Sequence, residues 1–232
     1  MSSLRPVERP RLYEQLVARI CDFVGERELT AGDRLPPERE LATQLGVSRA
    51  SIGQALVALE VQGVIAVRHG DGAVLLDTRS EDQVVSALRV HQRRLPEILE
   101  AREALEVKLA KLAAVRRTEE DLARIDDALE RMETDIRAGQ RGDAGDEQFH
   151  TAVTAAGHSE LLADLMGELA SAIRETRIES LSQPGRPHKS LRGHQRIAEA
   201  IRAGDAEAAA DSVRAHLQLV SDVALLNDAQ QG

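Results

Sequence analysis

Apolar residues recur every three to four positions through most of the chain, the period of a helix with one buried face. Leu12, Leu16, Ile20 and Val24 share such a face and predict a helix over residues 11–27. Gly32 and the proline pair of LTAGDRLPP break it. PERELATQL predicts a short helix over 37–45 with Leu41 and Leu45 inward, and Gly46 terminates it. Ser48 caps a third helix over 48–62, whose stripe is Ile52, Leu56 and Leu59, and Gly63 ends it. The period then changes: VIAV and AVLL flank the glycine turn RHGDG, the mark of a hairpin. Two helices joined by a tight turn and followed by a hairpin make a winged helix-turn-helix.

After DTRSED, the predicted linker, the helical period returns and persists. Helices are predicted at 81–93, 96–115, 118–138, 142–156, 159–181, 188–203 and 205–227. Thr118 with Asp121 resembles a capping box. Gly139, Gly157 and Gly204 fall at segment ends, and SQPGRPHK is the clearest loop. The expected fold is mainly α. A winged helix-turn-helix with a small β-hairpin occupies 1–78, and an all-α helical bundle of six to seven helices occupies 79–232. A chain of 232 residues suits two modest cores.

Charge and composition narrow the choice of partner. The net charge of −9 argues against nucleic acid unless basic groups are gathered locally. Residues 1–78 carry nine Arg, no Lys and eleven acids, so DNA binding there requires the arginines to share one face. No apolar run approaches the roughly 20 residues needed to span a bilayer. MSSLRPVERP lacks the apolar core of a signal peptide. No membrane partner and a cytoplasmic location are therefore expected. Cys21 is the single cysteine, which fits a reducing compartment. Beside Leu16, Val17, Ile20 and Val24 it is expected to be a buried structural thiol.

The third helix opens with Ser48 and Arg49, where backbone amides and the positive end of the helix dipole suit an anion. A recognition helix presents this end to base edges in the major groove, and Arg grips guanine with two bonds. Arg39 precedes it on the second helix, and Arg68 and His69 lie at the wing tip before Gly70. Solvated surface charge is the competing explanation. AGDRLPPERELATQLGVSRASIGQALVALEVQGVIAVRHGDGAVL resembles the N-terminal domain of the GntR family of bacterial transcription regulators, over about residues 11–76. The resemblance implies DNA contacts at Arg39, Ser48, Arg49, Ser51, His69 and Gly70. Two positions depart from the family pattern. Pro37 stands where the family has a capping Ser, and Gly53 where it often has an operator-reading Arg; Gln54 is the neighbour placed to compensate.

In the second half, Asp146 and His150 are spaced i, i+4 and share a helix face with Val153. His194 lies on the stripe of Leu191, Ala198 and Ile201, and His216 on that of Ser212, Val220 and Val223. The two helices meet at Gly204-Asp205, ten residues after His194 and twelve before His216, so both imidazoles lie near one level of a helical hairpin. Three imidazoles and a carboxylate suit a borderline divalent ion such as Zn, Ni, Co or Mn. Separate core histidines, each bonded to a neighbour, are the alternative. Arg102 interrupts the apolar stripe of Ile98, Leu105, Leu109 and Leu112. Its partner is Glu106, Asp146, another internal carboxylate, or the carboxylate of a bound acid.

LEAREALE, DEQFH, HQRIAEAIRAGD and AHLQ resemble the FadR-type ligand-binding domain known as FCD, over about residues 81–227. That resemblance implies Asp146, His150, His194 and His216 as metal ligands and Arg102 as an effector-carboxylate contact. His158 replaces a frequent Asn and is expected to cap its own helix or to support the site from outside. His91 is expected to pack near the domain junction, and His188 to lie exposed in a loop. The expectation is a ligand-responsive repressor, a homodimer on an imperfect palindromic operator, sensing a small organic acid through its metal. The rivals are a metal-dependent hydrolase with an appended DNA-binding domain, a metal sensor, and an organic-acid regulator without metal.

Overall fold

The structure, a computed structural model, describes residues 12–68, 72–77 and 81–221. The chain forms two compact units, Met1–Val90 and His91–Gly232.

The first unit contains α1 (Leu12–Glu26), α2 (Glu38–Leu45), α3 (Arg49–Val61), β1 (Ile65–Arg68) and β2 (Gly72–Leu75). Leu16, Val17 and Ile20 of α1 are buried with Ile52, Leu56 and Leu59 of α3, so the middle of the predicted α1 stripe packs as expected, while Leu12, expected on the same face, is exposed and Val24 only half-buried. Gly46 ends α2 with a φ of 67°, a left-handed turn that glycine adopts without strain. The Ser48 side chain accepts from the Ser51 amide and so caps α3. The strands pair antiparallel, Ile65 opposite Leu75 and Arg68 opposite Gly72. The segment before α2 also joins the wing, the Leu35 amide donating to Ala73 O at 2.9 Å and Leu75 to Asp33 O at 2.8 Å. Cys21, expected to be buried, is only half-buried, at the edge of a small apolar cavity lined by Ile20, Val24, Leu35 and Leu59.

The remaining helices are α4 (Glu81–Arg116), α5 (Glu119–Arg137), α6 (Asp143–Ala156), α7 (Glu160–Glu168), α8 (Ala170–Leu181), α9 (Arg186–Ala203) and α10 (Ala206–Ser221). Four expectations are corrected. The break expected between 93 and 96 does not occur, since α4 runs on through Pro96. A mid-helix proline costs about 3 kcal/mol. Leu95 and Ile98, buried on either side of it, hold the helical path. Conversely, the helix expected over 159–181 divides at Leu169, two residues after Gly167, whose backbone freedom weakens a helix interior. α9 begins at Arg186, earlier than expected, with Pro187 in the first turn, where a missing N–H leaves no bond unmade. His188 is therefore helical rather than in a loop, though exposed as expected. No helix among the described residues is long and apolar enough to cross a membrane.

The core of the second unit is rich in alanine: Ala110, Ala113 and Ala114 of α4, Ala152 and Ala156 of α6, Ala209 and Ala210 of α10. Small side chains let the helices approach closely. At Gly145 the approach reaches backbone, for a Cβ there would lie 2.5 Å from Met132 N on α5. α5 begins with the predicted capping box of Thr118 and Asp121. Asp121 also accepts from Arg124 Nη2 at 2.6 Å and lies 2.8 Å from His158 Nε2. His158 thus turns to the start of α5 rather than capping its own helix, where Ser159 holds the N-cap position. Burial pushes the Asp121 carboxyl up, but the Thr118 amide, Arg124, the Thr118 hydroxyl and His158 outweigh it and hold the group below the usual carboxylate range.

Two stability outcomes follow. Ala is about 1 kcal/mol better than Gly in a helix interior, but overpacking costs about 1–3 kcal/mol, and here the obstacle is backbone. Gly145→Ala is expected to lower the thermal midpoint; a raised one would contradict the contact. Asp121 stabilises the fold above its unfolded pKa of about 3.9, and that contribution drains away as pH falls below it. Asp121→Asn is therefore expected to lower the midpoint at pH 7, with the gap to the wild type narrowing between about pH 4 and pH 2. A gap independent of pH over that range would count against the charge.

Candidate functional site

At the tip of α3, Ser48 Oγ lies 2.8 Å from Ser51 Oγ and accepts from the Ser51 amide at 3.1 Å. This fixes the first turn and leaves Arg49 and Gln54 exposed and Ser51 and Gly53 half-exposed. Arg39 on α2 is exposed as well, and neither Arg39 nor Arg49 pairs with a carboxylate among the described residues. Several nearby acids are already engaged. Asp33 accepts from Thr30, Glu40 from Gln44 Nε2, and Glu60 from the Val67 amide. Pro37 offers α2 no side-chain cap, as its chemistry requires. A Cβ at Gly53 would meet open space, so this stretch of α3 presents bare backbone. The Arg68 side chain, His69 and Gly70 lie outside the described residues, as does the His91 side chain.

In the second unit, His150 on α6, His194 on α9 and His216 on α10 each offer a nitrogen within 4.8 Å of the others. The three rings lie 4.5 to 5.6 Å apart by centroid, and Phe149 stacks on His194 at 4.3 Å. Asp146, one turn before His150, brings Oδ1 to 3.5 Å from His194 Nε2 and Oδ2 to 3.9 Å from His150 Nε2. All four residues named from the sequence therefore meet in one buried cluster. Gly193 makes room for it, since a Cβ there would lie 2.8 Å from His216 Nδ1.

Arg102 is fully enclosed. Its Nε donates to Glu106 Oε1 at 2.7 Å and its Nη1 to Thr176 Oγ1 at 3.1 Å. Nη2 has no hydrogen-bond partner among the described residues. Glu106 Oε2 lies 3.2 Å from His150 Nδ1. Of the partners considered for Arg102, Glu106 is the one engaged, and one donor remains open. Arg177 on α8 escaped the sequence reading; its Nε lies 3.3 Å from Asp146 Oδ2. Thr176, which accepts from Arg102 Nη1, escaped it too.

Burial, then the positive field of neighbouring groups, drives the histidine pKa values down. His194 falls well below the ordinary range through burial, His150 and Arg177, and His216 through burial, His194 and His150. His150 is lowered by burial and Arg177 against the opposing pull of Glu106. Burial pushes Glu106 up, but Arg102, His150 and Arg177 hold it well below the usual range. The imidazoles are neutral near pH 7, with lone pairs free to ligate. His150 Nε2, both nitrogens of His194 and His216 Nδ1 are buried without hydrogen-bond partners among the described residues, and Asp146 Oδ2 makes no hydrogen bond there beyond its ion pair with Arg177. Unmade bonds of this kind cost about 1–3 kcal/mol each. A divalent cation is the ligand that such a set of lone pairs fits.

The comparisons with known proteins cover both units. The family described as bacterial regulatory proteins, gntR family, matches residues 12–75, and the FCD domain matches residues 97–219. The HTH-type transcriptional regulator LutR of Bacillus subtilis is 34% identical over 209 residues, 87% of this chain and 95% of that protein. The Uxu operon transcriptional regulator of Escherichia coli is 36% identical over 169 residues, 71% of this chain and 65% of that protein. Among solved structures, Streptococcus agalactiae GntR is 27% identical, covers 90% of this chain and 98% of its own, and has a TM-score of 0.46. Both relatives are named as transcriptional regulators.

Proposed function

The chain belongs to the gntR family of bacterial regulatory proteins and carries an FCD domain, and from that premise we propose a ligand-responsive repressor that senses a small carboxylate through a metal in its helical bundle. The observation that carries this reading is the set of buried imidazole nitrogens on His150, His194 and His216 without hydrogen-bond partners among the described residues, with the Asp146 carboxylate beside them and Arg102 Nη2 also without a partner there. Asp146, His150, His194 and His216 would hold a divalent transition ion such as Zn, Ni, Co or Mn. When bound, the ion supplies a Lewis-acid position for a carboxylate oxygen. Arg102 Nη2 offers the second grip on the acid. Charge favours the same ligand. Within the cluster Arg102 and Arg177 balance Glu106 and Asp146, so a divalent ion leaves an excess of positive charge that an acid offsets.

On the DNA side, Arg39, Ser48, Arg49, Ser51, Gln54, Arg68, His69 and Gly70 form the contact set in this reading. The protein acts in the cytoplasm as a homodimer, placing two α3 tips on an imperfect palindrome. The acid regulates by binding the DNA-competent and incompetent states unequally.

Two measurements test the two halves separately. His194→Ala is expected to lose most of its bound zinc and its response to carboxylates while still binding DNA; full zinc occupancy by elemental analysis would remove His194 from the ligand set. Arg49→Ala is expected to weaken binding to a DNA fragment selected by the wild type by about 1–3 kcal/mol at fixed salt. Unchanged affinity would refute its role.

A further inference from the structure

We infer that Glu106 is a positioning residue that sets which nitrogen His150 presents to the metal and couples metal affinity to acid binding at Arg102; the inference rests on the metal-and-acid reading of the pocket. Glu106 is buried on α4 and divides its two oxygens between two partners. Oε1 accepts from Arg102 Nε at 2.7 Å, and Oε2 faces His150 Nδ1 at 3.2 Å. A neutral imidazole carries one proton. A carboxylate opposite Nδ1 requires the proton there, because two lone pairs facing each other repel. The lone pair of His150 is thereby assigned to Nε2. That nitrogen is buried, has no hydrogen-bond partner among the described residues, and lies on the side of Asp146. His194 differs, for neither of its nitrogens has a hydrogen-bond partner among the described residues.

The same carboxylate transmits charge. Arg102 holds Glu106 through Nε and keeps Nη2 open. An acid on Nη2 draws on the positive charge of the guanidinium and loosens its hold on Oε1. Oε2 then accepts more strongly from Nδ1–H, and Nε2 becomes a better donor to metal. Acid and metal therefore strengthen each other, and by linkage each raises the affinity of the other by the same factor.

The full chain tests this with zinc as the metal and acetate as the acid. Nitrogen-15 NMR of the zinc-loaded wild type is expected to show His150 protonated at Nδ1 and ligated through Nε2; the opposite tautomer overturns the assignment. Zinc affinity, measured against a competing chelator, is expected to rise on adding acetate, and an affinity indifferent to acetate overturns the coupling. In Glu106→Gln zinc affinity is expected to fall about 10–100-fold, with the acetate effect reduced. Acetate that merely filled a position on the metal would tighten zinc equally in both proteins, and that equality refutes transmission through Glu106. Should Glu106→Gln fail to fold, the wild-type spectrum still decides the tautomer. A wild type that takes up no zinc instead brings down the metal reading itself, and this inference with it.

Discussion

A guanidinium cut off from water must be matched inside the protein, or it costs several kcal/mol. Arg102 is in that position, and much of the second unit is arranged around the requirement. Glu106, one turn along α4, answers the charge, and Thr176 of α8 takes a second donor. Glu106 is thereby drawn against His150 of α6, while Asp146 of the same helix meets Arg177 of α8 and lies beside His194 of α9. Four helices are tied by one set of polar contacts within an alanine-lined bundle. An apolar side chain at 102 would fill the volume without the desolvation penalty, so packing alone gives no reason for the arginine.

The two units treat charge in opposite ways. In the first, Arg39 and Arg49 are exposed and have no carboxylate partner among the described residues, while acids nearby are engaged in local bonds. An acidic chain can in this way keep a small cationic tip. In the second, charge is enclosed, where low polarity makes each pairing stronger and each omission more costly.

Much of this was legible because local chemistry marks it. Gly46 and Ser48 punctuate the turn between α2 and α3, and Gly204 fixes the hairpin that levels His194 with His216. Thr118 and Asp121 announce the start of α5. What escaped depends on tertiary packing. Pro96 signals a break, but the burial of Leu95 and Ile98 overrides it. Gly167 looks harmless in a long helical pattern, yet the chain turns soon after it. Arg177 and Thr176 were missed because α8 buries polar groups that resemble a water-facing surface, and only the neighbouring helices show what they meet. His158 was misassigned because its partner, Asp121, lies 37 residues away.

Gly193 shows how tightly the ring of His216 is seated. Its lone hydrogen stands where any other residue would place carbon against the His216 ring. The space beside that ring is thus set by the smallest side chain protein chemistry offers. A single methyl added there would press on an imidazole rather than on the helix that carries it. The placement of one imidazole among three thus turns on the absence of a side chain on the facing helix.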